Sequence, residues 1–186
     1  LLIDNVEKYR TIHKDDIYIL QASTSEMFGP DNQNTITEDT SHDPRSPYAE
    51  HKSLAHKLCV NARATKDLKI GTVILFNHES PRRGETFVTR KITSNLVKIK
   101  LGKIDRFSLG ILTPQRDWGY AGDYVSAVWK MMQVESPSDY VIASGITHSV
   151  KDFVIEALIA ANLEPDVEKY VLFDPKYLRF SAGRNL

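Results

Sequence analysis

The chain has 186 residues, 24 basic and 24 acidic side chains, 41% hydrophobic residues and one cysteine, which suits one domain or one domain with a small second one. Balanced charge argues against nucleic acid as a partner, and a lone cysteine, Cys59, excludes a disulfide framework or a cysteine-based zinc module. No apolar run approaches the roughly 20 residues that span a bilayer, and the first residues do not read as a signal peptide, so the expectation is a cytoplasmic protein without membrane partners.

Leu1, Leu2, Ile3 and Val6 have the spacing of the last turns of a helix, and Lys14-Asp15-Asp16 predicts the polar turn after it. Ile17 to Ser23 is short and apolar on both faces, the pattern of a buried parallel strand. Residues 27–46 are rich in Pro, Asn, Asp, Ser and Thr, and loops of that length are often functional. Ser46 as N-cap and Pro47 at the first helical position open a helix. Leu54, Ala55, Leu58, Cys59 and Ala62 form its predicted apolar stripe, which makes Cys59 an inert core residue. Ile70 to Phe76 reads as a second buried strand. Strand, loop, helix and strand together make a βαβ unit and imply a parallel sheet.

Further on, Val88, Ile92, Leu96 and Ile99 predict a helix that Gly102 stops. Asp123 is expected to cap a helix carrying Val125, Val128, Trp129 and Met132, with Trp129 as a packing residue. Gln115 to Gly119 reads as a polar turn and Tyr140 to Ala143 as a short strand. Ser149 and Asp152 form a capping-box pattern that opens a helix through Phe153, Ala157 and Leu158. The tail from Phe173 to Leu186 reads as irregular.

Three clusters carry chemistry. Tyr48 and Lys52, four apart, share a helix face. A free tyrosine has a pKa of about 10, and a nearby ammonium favours the phenolate that can exchange a proton with a hydroxyl; an exposed helix face explains the same pair. Ser23-Thr24-Ser25-Glu26 lies where the first strand ends, the edge at which open α/β sheets bind ligands. Its hydroxyls and carboxylate suit a sugar and an acid/base group, and equally an ordinary polar turn. Asn77 to Glu85 leaves the second strand at the same edge, with Arg82 and Arg83 beside a helix start near Phe87, an arrangement for phosphate or a solvated charged loop. His51 and His56 point to different faces, and no spacing matches a metal site.

Taken together, Gln21 to Gly29, Pro44 to Tyr48 with Lys52, Leu75 to Pro81, Arg83 to Ile92, Arg116 to Gly119, Asp123 to Val125 and Asp174 to Arg179 resemble the extended short-chain dehydrogenase/reductase family. Within it they are most similar to the branch that dehydrates GDP-mannose. The resemblance implies an incomplete Rossmann-like, doubly wound parallel α/β sheet over residues 1–80, the C-terminal half of an NADP-binding domain. Residues 81–186 would then be a smaller mixed α/β substrate-binding region with elements returning to the sheet. It implies Thr24, Ser25, Glu26, Tyr48 and Lys52 as catalytic residues, with Glu26 acting at C5 and Tyr48 at the C4 hydroxyl. Ser23, Tyr48, Lys52, His78 and Arg83 would hold NADP; Asn77, Lys91, Arg116 and Arg179 would hold GDP-mannose. Relatives that dehydrate dTDP-glucose carry Thr-Asp-Glu where this chain has Thr24-Ser25-Glu26, which supports the GDP-mannose branch.

The sequence has no Gly-x-x-Gly-x-x-Gly turn for a pyrophosphate. The expectation is a fragment of a homo-oligomeric enzyme, inactive by itself. The competing readings are another sugar-nucleotide dehydratase or epimerase of the same family, or a truncated non-catalytic paralogue that binds sugar nucleotide.

Overall fold

The computed structural model describes residues 2–15, 17–29 and 35–177. Helix α1 (Leu2–His13) leads into strand β1 (Tyr18–Thr24), which ends in a 3-10 turn, Ser25–Phe28. Helix α2 (Pro47–Lys66) then runs back along the sheet to β2 (Lys69–Leu75). β1 and β2 pair in parallel from Tyr18↔Lys69 to Thr24↔Leu75. β6 (Asp139–Ile142) adds to the other side of β2, also in parallel, giving the order β1-β2-β6. The expected βαβ unit and parallel α/β sheet are therefore present.

The α2 boundaries follow from its chemistry. Ser46 Oγ accepts the Ala49 amide at 3.1 Å, Pro47 begins the helix, and Asp67 ends it in a left-handed conformation, φ 50°. The buried face differs from the predicted stripe. Ala49, Ser53, His56, Cys59 and Ala62 face the sheet, whereas Leu54 and Leu58 are exposed. Small side chains let the helix sit close against β1 and β2, and leucine bulk would hold it off. Cys59 is buried as expected, and burial pushes its thiol pKa up. β1 is only half-buried over most of its length, because among the described residues it pairs on one side alone.

The rest of the chain builds a second layer. β3 (Asn77–Glu79), α3 (Val88–Lys100), β4 (Phe107–Leu109), β5 (Gln115–Tyr120) and α4 (Ala121–Met131) precede β6. β7 (Thr147–Ser149), α5 (Val150–Ala160), α6 (Val167–Tyr170) and β8 (Val171–Phe173) follow it. β5 stands between parallel β3 and antiparallel β7, and β4 pairs with β8. Ile92 and Leu96 of α3 pack with Val154 and Leu158 of α5, Phe107 and Tyr170 as one core. The Ser149–Asp152 capping box opens α5 as predicted.

Two expectations need correction here. Gln115 to Gly119 is a strand, not a turn: its polar residues obscure a segment whose backbone is paired on both sides, and Asp117 is buried to accept the amides of Ser144 and Gly145 at 2.9 and 2.7 Å. Asp123 does not cap α4; Tyr120 is the N-cap, and Asp123 lies in the first turn, where its charge favours the helix N-terminus. The inward residues of α4 are Tyr124 and Met131, so Val125 and Trp129 face outward, Trp129 being 64% exposed. Among the described residues no helix is long and apolar enough to cross a membrane.

At the base of the sheet, Arg63 of α2 grips Asp139 of β6 with two bonds of 2.9 and 2.8 Å, and Thr72 of β2 adds a third at 2.6 Å. Burial alone would raise the Asp139 pKa; the bonds from Arg63 and Thr72 and the arginine charge outweigh it and hold the carboxyl below its ordinary value. A depressed carboxylate contributes stability above the unfolded pKa of about 4 and loses it as pH falls through the lower folded value. Asp139→Asn should therefore cost about 3 kcal/mol at neutral pH and flatten the acid limb of stability measured by urea denaturation. An unchanged midpoint would show that the pair contributes nothing.

Candidate active site

The β1–β2 register ends both strands at one edge, and the chain leaving each forms one wall of a cavity of about 620 Å³. From β1 come Ser23, Thr24, Ser25 and Glu26. Thr24 Oγ1 accepts the Glu26 amide at 3.3 Å, which turns the chain into the 3-10 segment and exposes the Glu26 side chain while Ser25 stays buried. From the first turns of α2 come Tyr48 and Lys52. Lys52 Nζ donates to Ala22 O at 3.0 Å and lies 5.8 Å from the centre of the Tyr48 ring. The helix is thus tied to the strand end, with a cation beside the phenol.

Asn77, His78 and Arg83 enter from β3 and the turn after it. His78 Nδ1 donates to Phe76 O at 2.9 Å, which in a neutral ring leaves Nε2 as an acceptor. The ring stacks on Tyr124, centroids 5.1 Å apart and planes 28° apart. Gly119 permits this stack, since a Cβ there would lie 2.4 Å from Tyr124 Cε2. The Tyr124 hydroxyl is buried without a hydrogen-bond partner, and burial, then the Asp117 charge, push its pKa up to about 12. Arg83 lies flat over Phe87, 3.6 Å from the ring centre. Its Nε is 3.2 Å from Glu79 Oε2 but is not aligned as a hydrogen bond, so this buried N–H lacks an acceptor.

Lys91 and Arg116 complete the cationic side of the cavity. Lys91 Nζ sits 3.2 Å from the centre of the Tyr177 ring, and Arg116 Nη1 donates to Gln115 O at 2.6 Å. Phe87 and Val88, where α3 begins, also line the cavity, and no side chain caps that helix end. Exposed amides and cations together favour an anion. Every predicted site residue but one lines this single cavity. The exception, Arg179, lies outside the described residues. Among the described residues there is no group of metal-ligating side chains.

Behind the strand end lies a polar network that the sequence did not announce. Ser23, expected to hold cofactor, lines the cavity and is buried, with its Oγ 2.9 Å from His56 Nδ1 on α2. His42 from the long loop bonds Ser53 at 2.8 Å, and the two imidazoles meet at 5.1 Å. The spacing Tyr48, Lys52, His56 is the one signal that could have drawn attention to His56. Nothing in the sequence marks His42 as a neighbour of the site, whereas Tyr124 and Tyr177 fall in segments that carry the resemblance.

This fold, with acid/base candidates and cations gathered at the carboxyl ends of parallel strands, defines a Rossmann-like α/β protein. Residues 2–182 match the family described as GDP-mannose 4,6 dehydratase, and the chain belongs to that family. It is 47% identical over 158 residues to the GDP-mannose 4,6 dehydratase of Homo sapiens, covering 85% of this chain and 42% of that protein. To GDP-mannose 4,6 dehydratase 1 of Arabidopsis thaliana it is 44% identical over 189 residues, covering 100% and 50%. The chain thus spans half or less of the length of these relatives. Among solved structures it is similar to RMD from Pseudomonas aeruginosa complexed with NADPH, with TM-score 0.83, 21% identity and coverage of 98% of this chain and 61% of that one. It is also similar to dTDP-glucose 4,6-dehydratase from Bacillus anthracis in complex with NAD, with TM-score 0.82, 20% identity and coverage of 99% and 55%.

Burial, followed by the charges of His56 and Lys57, pushes the His42 pKa down to about 4, and burial lowers that of His56 too. A histidine depressed in the fold is neutral there, so its stabilisation is complete above the unfolded pKa of about 6.5. It is lost as pH falls from that value towards the folded one. Thermal melts from pH 7.5 to 4.5 should show stability declining through this window, and His42→Gln should make the decline shallower. Equal slopes for the two proteins would contradict this.

Proposed function

We propose that the full-length protein is an NADP-dependent GDP-mannose 4,6-dehydratase, converting GDP-D-mannose to GDP-4-keto-6-deoxy-D-mannose with loss of water. The carrying observation is convergence: Glu26, Tyr48 and Lys52 share one cavity with Arg83, Lys91 and Arg116. The family match supports the same reading. Residues 1–80 act as the C-terminal half of the dinucleotide-binding domain, and 81–186 as the substrate region, from which β6 returns to pair with β2.

Tyr48 takes the proton of the C4 hydroxyl as C4 is oxidised, with the Lys52 ammonium 5.8 Å from its ring centre. The C4 ketone makes the neighbouring C5 proton acidic. Glu26 removes that proton and delivers it to the departing C6 hydroxyl, so one water leaves; C5 is reprotonated as hydride enters C6, and the proton that Tyr48 took from the C4 hydroxyl is given up, which balances the cycle. A nicotinamide dinucleotide held here would supply reversible storage of the hydride that C4 loses and C6 gains, with no net consumption. Tyr48, Lys52, His78 and the unaligned N–H of Arg83 fit the nicotinamide end of such a cofactor. The pyrophosphate end needs a glycine-rich turn that these 186 residues do not contain, so residues 1–186 alone should bind NADP weakly and turn over no GDP-mannose. The similar Pseudomonas aeruginosa structure is complexed with NADPH and the Bacillus anthracis one with NAD, which supports a nicotinamide dinucleotide; the choice of NADP is part of the proposal. Asn77, Lys91 and Arg116, together with Arg179, hold GDP-mannose, the cations meeting its diphosphate. Exposed Leu2 and Ile12 on α1 and Leu54 and Leu58 on α2 favour a homo-oligomer. A single, buried cysteine suits the cytoplasm.

The full-length protein should form a 4-keto-6-deoxy sugar from GDP-mannose and not from dTDP-glucose or UDP-glucose. A preference for either of the latter overturns the substrate assignment. Tyr48→Phe should lower the rate by about 10²–10⁴, and near-normal product formation would remove Tyr48 from the mechanism. Glu26→Gln should spare oxidation at C4 and stop elimination, so that reduced cofactor accumulates and no solvent deuterium enters C5. Unimpaired exchange at C5 would assign the base elsewhere.

A further inference from the structure

Tyr177 arrives at the cavity by a route built into the backbone. The Asp174 amide donates to Leu109 O at 2.9 Å and the Tyr177 amide to Asp174 O at 3.1 Å, so the turn Pro175–Tyr177 lies against the end of β4. Gly110 allows the close pass: a Cβ there would sit 2.8 Å from Tyr177 O and 3.3 Å from Tyr177 Cβ. The phenol ring then covers the Lys91 ammonium at 3.2 Å. Lys176, 4.9 Å from the same ring, is committed to Asp174 at 2.8 Å. Lys91 has no ion-pair partner among the described residues.

We propose that Tyr177 is a positioning residue of this cavity, holding Lys91 ready for the diphosphate of a nucleotide. The proposal rests on the reading above that Lys91 meets the diphosphate of GDP-mannose. A lysine carries its charge on a flexible four-carbon stem, and binding must freeze that stem. A ring that fixes the ammonium beforehand removes part of this cost. The kind of partner matters. A carboxylate would fix the lysine equally well, but it would cancel the charge and repel a phosphate. An aromatic face attracts the cation through its quadrupole and leaves the remaining N–H donors and the net charge for the ligand. Gly110 belongs to the same device, since any side chain there would push the Tyr177 backbone away.

The test uses the full-length protein, GDP as the probe, and calorimetry. Tyr177→Leu should weaken GDP binding about five- to thirtyfold, while Tyr177→Phe, which keeps the ring, should stay within about twofold. In a Lys91→Met background, Tyr177→Leu should have no further effect, because two residues acting through one contact are not additive. A merely structural role for Tyr177 would instead give additive losses, and that result overturns the proposal, as does unchanged GDP binding by Tyr177→Leu. A Lys91→Met protein that binds GDP normally would overturn the diphosphate assignment itself, a separate failure. An independent reading comes from the phenol, whose pKa the contact with the Lys91 ammonium holds below the ordinary value. Spectrophotometric titration should show one tyrosine rising when Lys91 becomes Met, and no change would overturn the contact.

Discussion

The parallel ladder between β1 and β2 governs everything else in this chain. Because Thr24 stands opposite Leu75, both strands release their chains at one edge of the sheet. A helix that joins two parallel strands must run back across the sheet and therefore begins at that same edge. Tyr48 and Lys52 are in the first turns of α2, so the crossover itself carries them to Glu26. The contact between Lys52 and Ala22 O then fixes the helix start against the strand end. Small residues on the buried face of α2 keep the two close, and the paired histidines with Ser23 and Ser53 fasten them from behind.

Charge is handled differently at the two ends of the sheet. At the base, Arg63 and Asp139 form a paired, hydrogen-bonded contact that serves the fold. At the ligand edge, two cations lie over aromatic rings, Arg83 on Phe87 and Lys91 on Tyr177. Aromatic partners orient a cation without neutralising it, and the uncapped start of α3 adds backbone donors nearby. Arg83 also pairs with the Glu79 carboxylate at 3.2 Å, whereas Lys91 is held by a ring with no ion-pair partner among the described residues.

Much of this was legible in the sequence where local chemistry decides the outcome. Ser46-Pro47, the Ser149–Asp152 box and the Gly102 stop each act within a few residues, and each is found where the pattern put it. The candidate site residues line one cavity because strand ends and a helix start concentrate them in short segments. Errors arose where a distant partner decides. Gln115 to Gly119 became a strand because β3 and β7 come to it, and Asp117 was drawn inward by amides of the turn after β6. Leu54, Leu58 and Trp129 point outward because a close-packed interface selected small or different neighbours, which hydrophobicity alone does not reveal. His42 reaches the site from a remote loop, and no spacing in the sequence connects it to the site.

The central claim is that one cavity presents Tyr48 and Glu26 to adjacent carbons of the same sugar. A crystal structure of the full-length protein with NADP and GDP-mannose tests it most directly, the Glu26→Gln enzyme being used to hold the substrate. The account predicts the Tyr48 hydroxyl within hydrogen-bond distance of the C4 oxygen, residue 26 facing C5 and C6, and the diphosphate beside Lys91 and Arg116. A sugar ring bound with its C4 turned away from Tyr48, or a diphosphate outside the cationic edge, would contradict it.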